Sequence, residues 1–126
     1  MGTLSMAALC LPALRTISYI AGKYALRRKV TDAPTGIRRP IISFSTQYIP
    51  VMTAIANAFI YIALINGVHA GFADPDLGST AIHFLAMVSK VTAFSHTMKD
   101  LLVLGDRCGA QGLLQVNQLD PFIVWM

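Results

Sequence analysis

From Tyr48 to Ala73 the chain carries no charged residue. Apolar side chains in that stretch lie nearly all round a helical wheel, among them Ile49, Val51, Met52, Ile55, Ala56, Phe59, Ile60, Ile62, Ala63, Leu64 and Ile65. A helix of this kind has no face suited to water, so it is expected to be buried on most sides. Pro50 falls in the early turns, where a missing N–H is tolerated, and Ser43 or Ser45 is placed to cap the start. The pattern predicts a helix over about 44–70.

Two more helices follow from the same spacing. Leu4, Ala7, Ala8, Leu11, Leu14, Ile17, Ala21 and Ala25 predict a helix over about 3–29, bent near Pro12. A third is predicted over about 79–106, capped by Ser79 or Asp76. Its apolar stripe is Phe84, Met87, Val88, Val91, Phe94, Met98, Leu101 and Leu102, with Lys90, Lys99 and Asp100 nearer solvent. Met52, Met87 and Met98 are expected to fill the core. The connectors are TDAPTGIRRP at 31–40, ADPDLGS at 73–79 and RCGAQGL at 107–113, and the tail to Met126 has no clear period. Short loops between long helices indicate one all-α domain, a mainly antiparallel bundle of three helices.

Composition narrows what such a bundle does. Hydrophobic residues make up 55% of the 126 and charged residues 13%, against roughly half and a quarter in an ordinary soluble domain. Either partners cover much of the surface or the chain lies in a bilayer. Residues 1–40 hold seven of the ten cations and one of the six acids, for +6, leaving −2 for the remainder. No glutamate occurs, which removes the commonest carboxylate base. Arg27, Arg28, Lys29, Arg38 and Arg39 crowd one connector beside apolar helices. Guanidinium groups there suit phosphate, because their planar donors pair two oxygens at once.

Cys10 and Cys108 form neither a CxxC pair nor a ligand set with His69, His83 and His96, so no metal is expected. Two free thiols and an N-terminus without a basic leader region point to the cytoplasm. Nucleic-acid binding is disfavoured, since only Tyr24 and Phe44 lie near the basic connector and no reading motif accompanies them.

Three segments, taken in order, carry a family resemblance: Lys23-Tyr24-Ala25-Leu26-Arg27-Arg28-Lys29, then Pro40-Ile41-Ile42-Ser43-Phe44-Ser45-Thr46-Gln47, then Cys108-Gly109-Ala110-Gln111-Gly112. The chain resembles the C-terminal helical domain of the acyl-CoA dehydrogenase and acyl-CoA oxidase flavoproteins. In that family a long helix ends in Tyr-Ala-x-x-Arg, a second helix opens with a glutamine, and a third ends in a Gly-rich turn. The stretch Asp32 to Gly36 and the Cys-Gly-Ala-Gln-Gly turn look closer to the oxidases.

The resemblance implies FAD shared between subunits of an oligomer and oxidation of fatty acyl-CoA to 2-enoyl-CoA. It also implies roles: Arg28 reaching a neighbouring subunit's FAD, Gln47 beside the FAD diphosphate, and Gly109, Ala110 and Gly112 along the adenosine diphosphate portion. The family's glutamate base has no counterpart here, and the early arginine of the first helix gives way to Ala7 and Ala8, with Arg15 the first cation. Asp100 and Asp106 are read as solvent-facing or paired with nearby cations, not as replacement bases. Without the family's N-terminal helical and middle β-domains, the chain alone is expected not to turn over substrate, whether it is a truncated product or half of a divided enzyme. The alternatives are a small helical membrane protein, since two helices could span a bilayer, and a non-catalytic helical interaction module.

Overall fold

A computed structural model describes residues 2–114. Three helices carry the fold: α1 over Gly2–Arg27, α2 over Ser45–Gly71 and α3 over Ser79–Cys108. Between α1 and α2 lie two short strands, β1 (Lys29–Thr31) and β2 (Arg38–Pro40), followed by a 3-10 turn over Ile41–Ser43. A second 3-10 turn, Gly109–Leu113, closes α3. The expected all-α bundle is therefore present, with a hairpin added. The aperiodic tail falls mostly on 115–126, outside the described residues.

The helices run up, down and up. One core cluster joins Ile17 and Ala21 late in α1, Val51 and Ala54 early in α2, and Leu101, Leu104 and Cys108 late in α3. A second joins Leu4 and Ala7, Ile65 and Val68, and Ala86, from the opposite ends of the same helices. The end of α1, the start of α2 and the end of α3 thus meet at one end of the bundle.

Small residues hold the helices close. Ala7, Ala13, Ala21, Ala25, Ala54, Ala58, Ala86 and Ala93 are all buried. Short side chains let two backbones approach, and the remaining core volume is filled by Leu14, Ile17, Leu101 and Leu104. Polar groups bridge the helices too: Asn57 Nδ2 donates to Asp100 Oδ2 at 2.7 Å, tying α2 to α3. Asp100 is therefore half-buried and amide-bonded, where it was read as solvent-facing or cation-paired.

The stripe predicted for α3 is largely reversed. Phe84 is 63% exposed and Met87 58%, while Ile82, Ala86, Ser89, Ala93, Thr97, Leu101, Leu104 and Cys108 face inward. Those inner positions recur at steps of three and four, a helical period carried by small and hydroxyl side chains. A count of large apolar residues follows the outer face instead. Likewise α2 is not covered on most sides within this chain, for Phe59 is 70% exposed and Ile49, Met52 and Ile60 are exposed with it. Of the three methionines expected in the core, Met98 alone packs against it.

The caps also differ from expectation. Phe44 and Gly78 occupy the N-cap positions of α2 and α3, and neither helix has a side-chain cap hydrogen bond. Ser43 instead donates through Oγ to the Pro40 carbonyl at 2.8 Å, spending its hydroxyl on the preceding turn. Asp74 Oδ1 accepts from the Asp76 amide within the α2–α3 turn.

Candidate functional site

The basic connector folds into a hairpin because its sequence offers a short alternating arm on each side of a turn. Lys29 pairs with Pro40, Val30 with Arg39 and Thr31 with Arg38, antiparallel. At the tip, the Gly36 amide donates to the Asp32 carbonyl at 2.8 Å, and Asp32 donates its own amide to the Ile37 carbonyl at 3.0 Å. Gly36 has φ +65, a left-handed conformation that glycine adopts at low cost. Thr35 Oγ1 donates to Asp32 Oδ2 at 3.0 Å, fixing the only acid of the hairpin within the turn.

Arg28 sits at the hinge between α1 and β1. Its amide donates to the Tyr24 carbonyl at 2.8 Å and its carbonyl accepts from Ile41 at 2.9 Å, so the backbone is held from both sides. The guanidinium is exposed and makes no ion pair among the described residues. The one ion pair among them joins Arg39 Nη2 to Asp32 Oδ2 at 3.9 Å, a long surface contact of small energetic worth. Arg27, Arg28, Lys29 and Arg38 are left without an ion pair among the described residues.

Gln47 lies in the first turn of α2, half-buried, its amide donating to the Phe44 carbonyl at 2.9 Å. Its side-chain amide has no hydrogen-bond partner in the described chain, and α2 has no side-chain cap. The start of α2 therefore offers the Gln47 side-chain amide, the backbone amides of Ser45 and Thr46 and the positive end of the helix dipole. Ile41, buried beneath the hairpin, packs the 3-10 turn between this start and the end of α1.

The third predicted segment closes the same end of the bundle. Gly109 caps α3 with φ +59 and gives its amide to the Asp106 carbonyl. Gly109 and Ala110 are exposed, whereas Gly112 is buried. A Cβ on Gly112 would stand 2.6 Å from the Gly105 carbonyl oxygen, so this glycine is required by the turn's fold back onto α3. The surfaces open to a ligand are Gly109 and Ala110. Cys108 packs into the core, and burial pushes its thiol pKa up, keeping it protonated and a poor nucleophile.

Arg28, Gln47 and the Gly109–Gly112 turn are thus far apart in sequence and share one end of the bundle. The strand pairing of the basic connector was missed by the sequence reading, although the Lys29-Val30-Thr31 and Ile37-Arg38-Arg39 arms around Asp32 to Gly36 carry its signal. No group of three or more His, Cys or Asp side chains able to hold a metal occurs among the described residues. No family profile, curated protein or solved structure matches the chain.

Proposed function

We propose that this bundle does the work of the C-terminal helical domain in an FAD-dependent acyl-CoA oxidase-like flavoprotein, binding the cofactor's diphosphate at its basic end. What supports the reading is that the end of α1, the start of α2 and the end of α3, which carry Arg28, Gln47 and the Gly109–Ala110 backbone, share one end of the bundle. Each group meets a different need of a diphosphate ligand. The Arg28 guanidinium pairs two oxygens, the Gln47 amide and the open start of α2 donate further hydrogen bonds, and the side-chain-poor turn lets the ligand lie against backbone. FAD, when bound, would supply the two-electron oxidation of fatty acyl-CoA to 2-enoyl-CoA; the residues of this chain bind and orient it.

The uncovered apolar faces of α2 and α3 fit the same reading. They are too extensive for a three-helix chain to bury by itself and are suited to a second subunit or to the other domains of such an enzyme. Catalysis would need a base from elsewhere, since no glutamate is present and Asp100 is engaged by Asn57.

The proposal is tested by cofactor retention after co-expression with a candidate flavoprotein partner. Arg28→Ala and Gln47→Ala are expected each to lower FAD occupancy about tenfold, as loss of a charge-assisted or buried ligand hydrogen bond does. Unchanged occupancy in both variants would remove the assigned roles.

A second reading, a membrane-embedded bundle, draws on one observation. Large apolar side chains face outward over small residues inside, and α1 and α2 are each long and apolar enough to cross a bilayer. Against it, Lys90, His96, Lys99 and Asp100 interrupt α3, where a core helix of an oligomer accommodates them more readily. Extraction from membranes only with detergent would favour the second reading; release into buffer without it favours the first.

A further inference from the structure

The hairpin stands clear of the bundle. Every residue from Arg27 to Arg39 is exposed except Asp32, which is half-buried. By the strand register Lys29, Thr31 and Arg38 share one face and Val30 and Arg39 the other, so both faces meet solvent. A pairing of this length has no core of its own to bury. Between Lys29 and Arg38 the one charge is Asp32, and it is engaged by Thr35 Oγ1 at 3.0 Å and Arg39 Nη2 at 3.9 Å. The tip from Ala33 to Ile37 is uncharged, with Ile37 57% exposed, and Lys29, Arg38 and Arg39 follow directly behind it with an exposed Val30 between them.

An apolar tip backed by cations complements the two layers of an anionic bilayer surface, the acyl boundary and the phosphates above it. A soluble phosphate would engage the cations and leave Ile37 and Val30 in water. Nucleic acid would do the same, and residues 29–40 hold no aromatic side chain on which a base could stack. We infer that the hairpin docks this chain tip-first on an anionic lipid surface, with Ile37 entering the headgroup region and Lys29 and Arg38 pairing with lipid phosphates. The charge along the bundle has the matching polarity: the α2–α3 turn at the opposite end holds Asp74 and Asp76, while Asp106 at the hairpin end is followed by Arg107. Lys29, Val30, Ile37 and Arg38 take no part in the diphosphate reading, so the inference does not rest on it. The contact is peripheral, and the three helices stay outside the bilayer.

The test is flotation of the full chain with vesicles of phosphatidylcholine alone and of phosphatidylcholine mixed with phosphatidylglycerol. Binding to the mixed vesicles is expected, at least about tenfold tighter than to the neutral ones. It should be lost at about 1 M salt, where charges are screened within about 3 Å. Lys29→Gln and Arg38→Gln are each expected to lower the affinity about fivefold, and Ile37→Ser about fivefold through lost apolar burial. Gln47→Ala, which the cofactor reading expects to lower FAD occupancy, should leave vesicle binding unchanged. Tryptophan emission of an Ile37→Trp variant should move to the blue on the mixed vesicles, beyond any change in the unmodified chain, whose single tryptophan is Trp125. Equal binding to the two vesicles, a bound fraction that only detergent releases, a DNA duplex held as tightly as the anionic vesicles, or binding indifferent to Ile37→Ser overturns the inference.

Discussion

The two ends of the bundle are built to different rules. At one, a hairpin, an uncapped helix start and a glycine turn expose the cations Arg27, Arg28, Lys29 and Arg38, together with both positive-φ glycines found among the described residues. At the other, α2 passes to α3 through a short turn holding Asp74 and Asp76, over Leu4, Ala7, Ile65, Val68 and Ala86. The small concavity beside that turn, about 270 Å³, is lined by aliphatic residues and glycines such as Leu64, Gly67, Val68, Ile82 and Leu85. The exposed cations are gathered at the first end, while the second places two aspartates in a turn above aliphatic packing.

That division is open to attack from either side. The largest expected effect comes from the packed end: Ile65→Ala should cost about 2–4 kcal/mol of stability, read as a lower midpoint in thermal or denaturant unfolding. Ligand affinity per folded molecule should not change, and a parallel loss of affinity would mean the ends are not independent. At the basic end, Gly112→Ala forces a Cβ against the Gly105 carbonyl and should cost about 1–3 kcal/mol, measured in the same way. A neutral result there would show that the turn is free to shift.

Between the ends, Thr97 is fully buried, and among the described residues its Oγ1 has only the Cys10 thiol as a weak, poorly aligned partner. Thr97→Val keeps the shape and exchanges this poorly satisfied hydroxyl and its weak thiol contact for a methyl group, so it should stabilise the fold by no more than about 1 kcal/mol and move neither end. Smallest is a pH effect. Burial raises the Cys108 thiol above its ordinary value, so the neutral form is favoured in the folded state. Its contribution is full below the ordinary thiol range and is lost as pH rises through the folded value. Cys108→Ala should flatten the alkaline fall in stability, and an identical pH profile in the variant would exclude Cys108 as its source.

How much of this was legible in the sequence depended on what carried the signal. Helix number, approximate limits and antiparallel order follow from proline and glycine punctuation and from α1, where Leu4, Ala7, Leu14, Ile17, Ala21 and Ala25 all face inward as spaced. Helix α3 misled, because hydrophobic size and burial part company there: Ala86, Ser89, Ala93 and Thr97 are inside, while Phe84, Val91 and Leu102 are outside. Close-packed helices select small inner residues, and the large outer ones stay exposed. The candidate site was legible as three separate motifs, and only the up-down-up path of the helices brings them together. Gly112 was visible as a glycine, but its reason, the Gly105 carbonyl of α3 against which the turn folds back, appears only in the folded chain.

The central claim is that a diphosphate binds where the three segments meet. Amide NMR of the full chain titrated with ADP tests it most directly. Saturable shifts at Arg28, Gln47, Gly109 and Ala110, with Ile65, Val68 and Ala86 unmoved, are predicted, and Arg28→Ala should weaken the response about tenfold. Shifts confined to the hairpin tip that vanish on raising salt, or a response indifferent to Arg28→Ala, would contradict it.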